Sequence, residues 1–239
     1  MIRIYFDSEW QCGQELILSA AITHRILHVL RLKLGDRLLL FNSADGEFQA
    51  TITAIKKNSC SVAIEKFIPK NFESPLRIHL GQVIARGEKM DYTVQKATEL
   101  GVTAITPLFS EHCNVKLDAE RTVKRLEHWQ ATAIAASEQC GRCFIPKIFP
   151  AENLEQWLTT THPETRIILD HRSPNKIKNI PLTNEMALLV GPEGGFSDNE
   201  ILLAEQNNFI PVQLGPRILR TETAALAAIS ALQVLRGDW

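Results

Sequence analysis

Two glycine-rich stretches, Gly191-Pro-Glu-Gly-Gly-Phe-Ser197 and Gly215-Pro-Arg-Ile-Leu-Arg-Thr221, hold the residues best suited to surround a small molecule. Glycine at the end of a buried strand lets the backbone turn tightly and admits a ligand to main-chain amides and carbonyls. A Cβ at Gly194 or Gly215 would intrude on that approach. Two such loops in succession describe two walls of one pocket, and Asp170-His171-Arg172 after the apolar run Ile167-Ile-Leu169 offers a third. Neither glycine loop is a standard phosphate cradle, because the chain has no G-x-x-x-x-G-K-[ST] and 191–195 lacks the G-x-G-x-x-G spacing. Ordinary crossover turns are the competing explanation. A lone His171 on a loop is a weak case for catalysis. Cys140-Gly-Arg-Cys143 reads as a redox pair, half a zinc site or merely the end of a helix. With no second C-x-x-C and only the distant His112-Cys113 to complete a ligand set, no metal is expected.

The elements that must position these loops are legible on either side of them. Met186–Val190 is a short apolar run that predicts a buried strand, and Ser197 with Glu200 has the spacing of a capping box opening a helix over 198–205. Ile210–Leu214 predicts a second strand. An Ala- and Leu-rich helix follows from about Thr223, with Thr221 or Thr223 as its cap. Upstream, strands are expected over 76–84, 102–109, 146–149 and 166–169, and helices over 89–100, 119–139 and 154–160. Such alternation predicts an α/β domain whose parallel sheet is covered on both faces, with the loops outside the carboxyl ends of its strands.

Residues 1–72 read differently. Leu38–Phe41, a turn through Asn42 to Gly46, alternation at Phe48, Ala50 and Ile52, and Ser61–Ile64 predict a small twisted sheet or barrel. One helix interrupts it over 20–31, with Ile22, Ile26, Val29 and Leu30 on one side and His24, Arg25, His28 and Arg31 on the other. Pro69 to Pro75 marks the junction, since two prolines bracket a polar stretch. Two domains follow, 1–72 and 73–239. The net charge of −1 announces no nucleic-acid partner globally, so any such surface must be a local patch. Five cysteines, an odd number, fit a reducing compartment. No apolar run approaches a membrane span and the N-terminus lacks a signal-peptide pattern, so a soluble, cytoplasmic protein is expected.

The wording of the loops is more specific than their type. Val190-Gly-Pro-Glu-Gly-Gly-Phe-Ser197 followed by Leu214-Gly-Pro-Arg-Ile-Leu-Arg-Thr-Glu-Thr-Ala224 resembles the RsmE family, ribosomal small-subunit RNA uridine-N3 methyltransferases of the SPOUT superfamily. Arg86-Gly-Glu-Lys-Met90, Gln95-Lys-Ala-Thr-Glu-Leu-Gly101, Glu138-Gln-Cys-Gly-Arg142, and His28-Val-Leu-Arg31 with Gly35-Asp36 extend the resemblance over nearly the whole chain. It implies a PUA-like β-barrel domain, then a SPOUT domain whose last helix is threaded through a trefoil knot. Nothing in the pattern of residues reveals a knot, and threading is rare.

The resemblance also implies S-adenosylmethionine as cofactor and N3 of a uridine in 16S rRNA of the small subunit as methyl acceptor, with uridine 1498 as the family's target. Leu169, Gly191, Glu193, Gly194, Gly195, Leu214, Gly215, Ile218, Leu219 and Thr223 would surround the cofactor. Glu193 would take the ribose hydroxyls or only hold its own loop. Arg220 would stabilise negative charge on the uracil, with Glu222 as proton acceptor or its organiser. A structural Arg220–Glu222 salt bridge is the competing explanation. Arg3, His28 and Arg31 of the first domain would touch RNA, and Arg86 and Arg142 would present cations to it, against the alternative of solvated surface charge. A homodimer is implied, and small residues around the helix 224–232 permit close packing. Two rivals stand beside this reading: a SPOUT methyltransferase acting on another rRNA or tRNA nucleotide, and a non-catalytic RNA-binding assembly factor.

Overall fold

The computed structural model describes residues 1–43, 46–56, 58–70, 72–115 and 118–239. They form two compact units, Met1–Glu73 with Ser137–Phe144, and Ser74–Ala136 with Ile145–Trp239. The first unit therefore ends within the Pro69–Pro75 stretch but also takes in residues from much later in the chain.

In the first unit, β1 (Ile2–Tyr5), β2 (Glu15–Ile17), β3 (Arg37–Phe41), β4 (Gly46–Lys56) and β5 (Ser59–Pro69) form one sheet in the order β1-β3-β4-β5-β2. The β1–β3 pair is parallel and the others antiparallel. The two-residue alternation puts Leu38, Leu40, Ala50, Ile52, Val62 and Ile64 into one core with Ile4, Leu18 and Ile26. The turn expected through Asn42 to Gly46 includes residues 44–45, which lie outside the described residues. The expected helix over 20–31 is realised in two parts. Ser19 Oγ caps α1 (Ala20–His24) by accepting from Ile22 N at 3.4 Å. A π-helical turn, Arg25–Val29, follows, and Arg31 ends it in the left-handed region at φ 56°.

The second unit contains β6 (Arg77–Val83), α2 (Lys89–Glu99), β7 (Ala104–Phe109), most of α3 (Ala119–Cys140), β8 (Lys147–Ile148), β9 (Glu152–Asn153), α4 (Leu154–Thr160), β10 (Thr165–Leu169), β11 (Glu185–Val190), α5 (Asp198–Gln206), β12 (Ile210–Val212) and α6 (Thr221–Arg236). Its sheet runs β12-β10-β11-β6-β7-β8, with β9 also on β7, and every pairing is parallel. β11 is buried from Met186 to Val190, as a strand covered on both faces must be. The two-residue β9 has no signal in the sequence.

Packing on β6 differs between its faces. A Cβ at Gly81 would lie 2.5 Å from the Trp157 ring, so only glycine lets that indole rest on the sheet. Trp157 also meets His79 edge-on at 5.5 Å and packs in the cluster that includes Val83, Leu154 and Ile168. On the other face Gln82 reaches Thr221 at the start of α6. At the far end of that helix, Gln233 donates to Leu100 O at 2.8 Å and accepts from Ser74 Oγ at 2.7 Å. Trp157 Nε1 and Gln82 Oε1 are buried without partners among the described residues, each an unmet cost of about 1–3 kcal/mol. Among the described residues, no helix is long and apolar enough to cross a membrane.

His79 makes this core sensitive to acid. Burial holds the imidazole neutral, 2.8 Å from Thr106 Oγ1, and lowers its pKa from 6.5 to about 4. Between those values the unfolded chain binds a proton that the folded chain refuses. The stabilisation is therefore complete above about pH 6.5 and is lost as pH falls toward about 4. Urea midpoints should decline over that window in the parent and decline less in His79→Gln. Parallel declines would place the acid sensitivity elsewhere.

Candidate functional site

All strands of the second sheet point the same way, so the loops that follow them gather at one edge. There, the segments after β10, β11 and β12, with Lys89 at the start of α2, enclose a cleft of about 520 Å³. That volume and position suit a small-molecule site. The cleft is lined by Leu169, Gly191, Glu193, Gly194, Gly195, Leu214, Gly215, Ile218, Leu219 and Arg220, together with Asp170, His171, Arg217 and Thr221. Of the residues expected around a cofactor, Thr223 alone is absent from the lining, and Glu222 is absent too.

Each glycine in these loops answers a different constraint. Gly195 (φ +70°) and Gly215 (φ +130°) hold backbone conformations that L side chains avoid, and a Cβ built on either would meet nothing within 4 Å. Open space beside a permissive backbone is the cradle a ligand needs. Gly191 makes room for Phe196 instead, whose ring would lie 3.0 Å from a Cβ. Gly194 backs onto His112, whose Cβ would be 3.1 Å away, so a side chain there would strike protein first and not the ligand. His112 Nδ1 lies 3.2 Å from Gly195 O and helps to fix this turn. The capping box forms: Ser197 Oγ accepts from Glu200 N at 3.3 Å, and Glu200 Oε2 accepts from Ser197 N at 2.9 Å.

The charges divide into paired and free. Glu193 accepts from Lys89 Nζ at 2.7 Å and from Arg86 N at 3.4 Å, so it holds its own loop in place. Burial alone would raise its pKa, but Lys89 and the backbone amides of Glu193 and Arg86 outweigh that and keep the carboxyl below its ordinary value. Asp170 is held by Arg172 Nε at 3.0 Å, and Arg172 also reaches Asp198 at 2.5 Å. Arg217 and Arg220, both exposed on the lip, have no hydrogen-bond or ion-pair partner among the described residues. The competing Arg220–Glu222 salt bridge is therefore not formed. Glu222 Oε2 is instead buried without a partner among the described residues. Nor does Thr221 or Thr223 cap α6. Arg220 is the N-cap residue and makes no side-chain cap bond, while Thr221 Oγ1 donates to Gly191 O at 2.6 Å.

Of the residues expected to meet RNA, His28, Arg31 and Arg86 are exposed, with His24 and His28 rings 4.6 Å apart. Arg3 and Arg142 are corrections. Arg3 donates to Glu47 at 2.5 Å and to the carbonyls of Ser137, Glu138 and Arg142 at 2.6, 3.0 and 2.9 Å. Arg142 is 4 % exposed and reaches Glu73 at 2.7 Å. Arg142 is buried and Arg3 largely so, and both are committed to protein acceptors within the first unit. In the sequence Lys89 is only part of a charged run, and its place in the cleft follows from the sheet order.

A family model described as an RNA methyltransferase domain matches residues 72–233, and one described as an RNA methyltransferase PUA domain matches residues 21–65. The ribosomal RNA small subunit methyltransferase E of Buchnera aphidicola subsp. Schizaphis graminum is 45% identical over 238 residues, covering 99% of this chain and 97% of its own. The protein of that name from Bacillus subtilis is 28% identical over 229 residues, 90% of each chain. Among solved structures, a Legionella pneumophila protein with bound cofactor SAM superposes with a TM-score of 0.97 at 44% identity, covering 100% of this chain and 99% of its own. A ribosomal RNA small subunit methyltransferase E from Neisseria gonorrhoeae, bound to S-adenosyl methionine, gives 0.93 at 38% identity with coverage of 100% and 99%.

The Lys89–Glu193 contact can be checked apart from any activity. Lys89→Met removes the cation but leaves the partial burial, so the Glu193 carboxyl should titrate at higher pH than in the parent when followed by carbon-detected NMR. An unmoved titration would show that the backbone amides suffice.

Proposed function

The chain belongs to the ribosomal RNA small subunit methyltransferase E family, and from that premise we propose that it methylates N3 of a uridine in 16S rRNA of the small subunit, using S-adenosylmethionine. Uridine 1498 is the target in this reading, the cytoplasm its place, and a homodimer its working form. The knotted threading of the last helix belongs to the same reading. The observation that carries it is the conjunction of a backbone-lined cleft with an unpaired Arg220 on its lip. Exposed Val234, Leu235 and Trp239 at the end of the chain support a partner on that half.

The residues present suit the cofactor. Gly195 and Gly215 leave open the room a Cβ would occupy, Ile218 and Leu219 offer apolar surface to adenine, and loop amides and carbonyls can pair its edge. Bound S-adenosylmethionine supplies an electrophilic methyl carbon. The chain itself supplies alignment, exclusion of water, and charge where the uracil becomes anionic. Uridine N3 must lose a weakly acidic proton to become a good nucleophile, and the guanidinium of Arg220 suits the uracil oxygens that take up the charge. Glu222 lies off the cleft lining, so it serves better as an organiser of the loop than as the direct proton acceptor. The exposed His28 and Arg31 face of the first unit would hold RNA backbone.

Small subunits lacking modifications, incubated with the chain and S-adenosylmethionine and mapped by mass spectrometry, should gain one methyl group on uridine N3. A methyl group on another nucleotide would replace the target, and none on any RNA would overturn the reading. Under single-turnover conditions Arg220→Ala should be slower by about a hundredfold or more with cofactor affinity nearly intact, the scale for one charge-stabilising donor. An unchanged rate would make Arg220 structural.

Arg31→Ala should bind RNA more weakly and with a salt slope shallower by about one unit, as for loss of one phosphate contact. Weaker cofactor binding with RNA affinity intact would reverse the division of labour between the domains.

A further inference from the structure

Beneath the cleft, Gln82 on β6 is 1 % exposed and lines no part of the cavity, yet it reaches the segment that carries Arg220. Its Nε2 donates to Val83 O at 3.0 Å and to Thr221 Oγ1 at 2.9 Å, and Thr221 Oγ1 donates onward to Gly191 O at 2.6 Å. The direction of each proton in this chain is fixed. Backbone carbonyls only accept, so the amide nitrogen of Gln82 must face Val83 and Thr221, and the hydroxyl must donate its hydrogen bond to Gly191 O. That orientation strands Gln82 Oε1, which is buried with no partner among the described residues. Methionine, of similar length, would leave no such atom, so packing alone does not dictate glutamine at this position.

The segment being held is otherwise thinly anchored. Arg220 is the N-cap residue of α6 with φ −65° and ψ 154°, makes no side-chain cap bond, and has no partner for its guanidinium among the described residues. Its backbone carbonyl accepts from Ala224 N at 2.8 Å, which ties it to the helix but not to the sheet. The tie to the sheet is Thr221, with Gln82 on one side and the Gly191 loop on the other. Gly191 and Thr221 both line the cleft.

We infer that Gln82 is a positioning residue for methyl transfer: through Thr221 it fixes where Arg220 stands relative to the Gly191 wall. This rests on the methyltransferase reading above. Gln82→Met removes the donor and the stranded oxygen together, and leaves the Thr221-to-Gly191 bond in place. The fold and the cofactor wall should therefore persist while Arg220 loses its register, and small misplacements of a reacting group carry large rate penalties.

The test measures three quantities on the full chain: S-adenosylmethionine affinity by calorimetry, thermal midpoint, and single-turnover methyl transfer to unmodified small subunits. For Gln82→Met the rate should fall about ten- to a hundredfold, with cofactor affinity within about threefold of the parent and the midpoint held within a few degrees. Thr221→Val should lose at least as much rate. The double variant should be no slower than Thr221→Val alone, because Gln82 acts through that hydroxyl. A parental rate in Gln82→Met, a double variant whose losses multiply, or a rate loss matched by equal losses of cofactor affinity and midpoint would each overturn the inference. If the parent transfers no methyl group to the subunits, the methyltransferase reading fails and takes the inference with it. Parent transfer with an unaffected Gln82→Met overturns the inference alone.

Discussion

A sheet with all its strands parallel has two unlike edges, and that asymmetry organises the second unit. Every crossover in it must return the chain to the same starting side, so the segments leaving β10, β11 and β12 emerge together. Their residues are far apart in sequence, yet the pairings Ile167 with Leu188 and Ile167 with Ile210 bring the strands side by side. With the walls fixed by strand register, the loops need only supply unobstructed backbone. The glycines with positive φ do so at Gly195 and Gly215, and the capping box at Ser197 and Glu200 starts α5 directly behind one wall.

The first unit solves a different problem, which is to bury charge. Glu47 is 3 % exposed, and two cations meet it, Arg3 at 2.5 Å and Lys70 at 2.7 Å. Arg25 grips Glu138 with both terminal guanidinium nitrogens, and Tyr5 N donates to the same carboxylate at 3.0 Å. Such pairs are weak sources of net stability because desolvation offsets most of the attraction, but those to Glu138 fix the relative placement of segments over a hundred residues apart in sequence. That geometry explains why residues 137–144 belong with the N-terminal sheet.

Features set by neighbours along the chain are legible in the amino-acid sequence alone. The alternation of strands and helices, the capping box and the two glycine loops all rest on interactions over a few residues, and their bounds shift by only a residue or two in most cases. What the sequence hides depends on distant partners. Arg3 and Arg142 look like surface cations until Glu47, Glu73 and the end of α3 arrive around them. Thr221 looks like a helix cap until Gly191 O accepts from its hydroxyl. Gln82 is a polar residue in an apolar strand, which is a signal, but its meaning requires knowing that α6 starts above it. The order β12-β10-β11-β6-β7-β8 likewise has no local signature, and without it Lys89 cannot be assigned to the cleft.

The π turn over Arg25–Val29 is in effect a helix holding one residue too many, since Leu30 N bonds back to Arg25 O, five residues earlier. One residue of an α-helix corresponds to about 100° of rotation about the axis. The surplus residue therefore acts as a phase adjuster. It sets the angle at which Arg31 departs relative to His24 and the buried Ile26 that anchors the turn. An uninterrupted α-helix over the same residues would carry the basic group to another compass point about the axis. The proposed nucleic-acid face of this unit is thus specified by a count as much as by the identity of its cations.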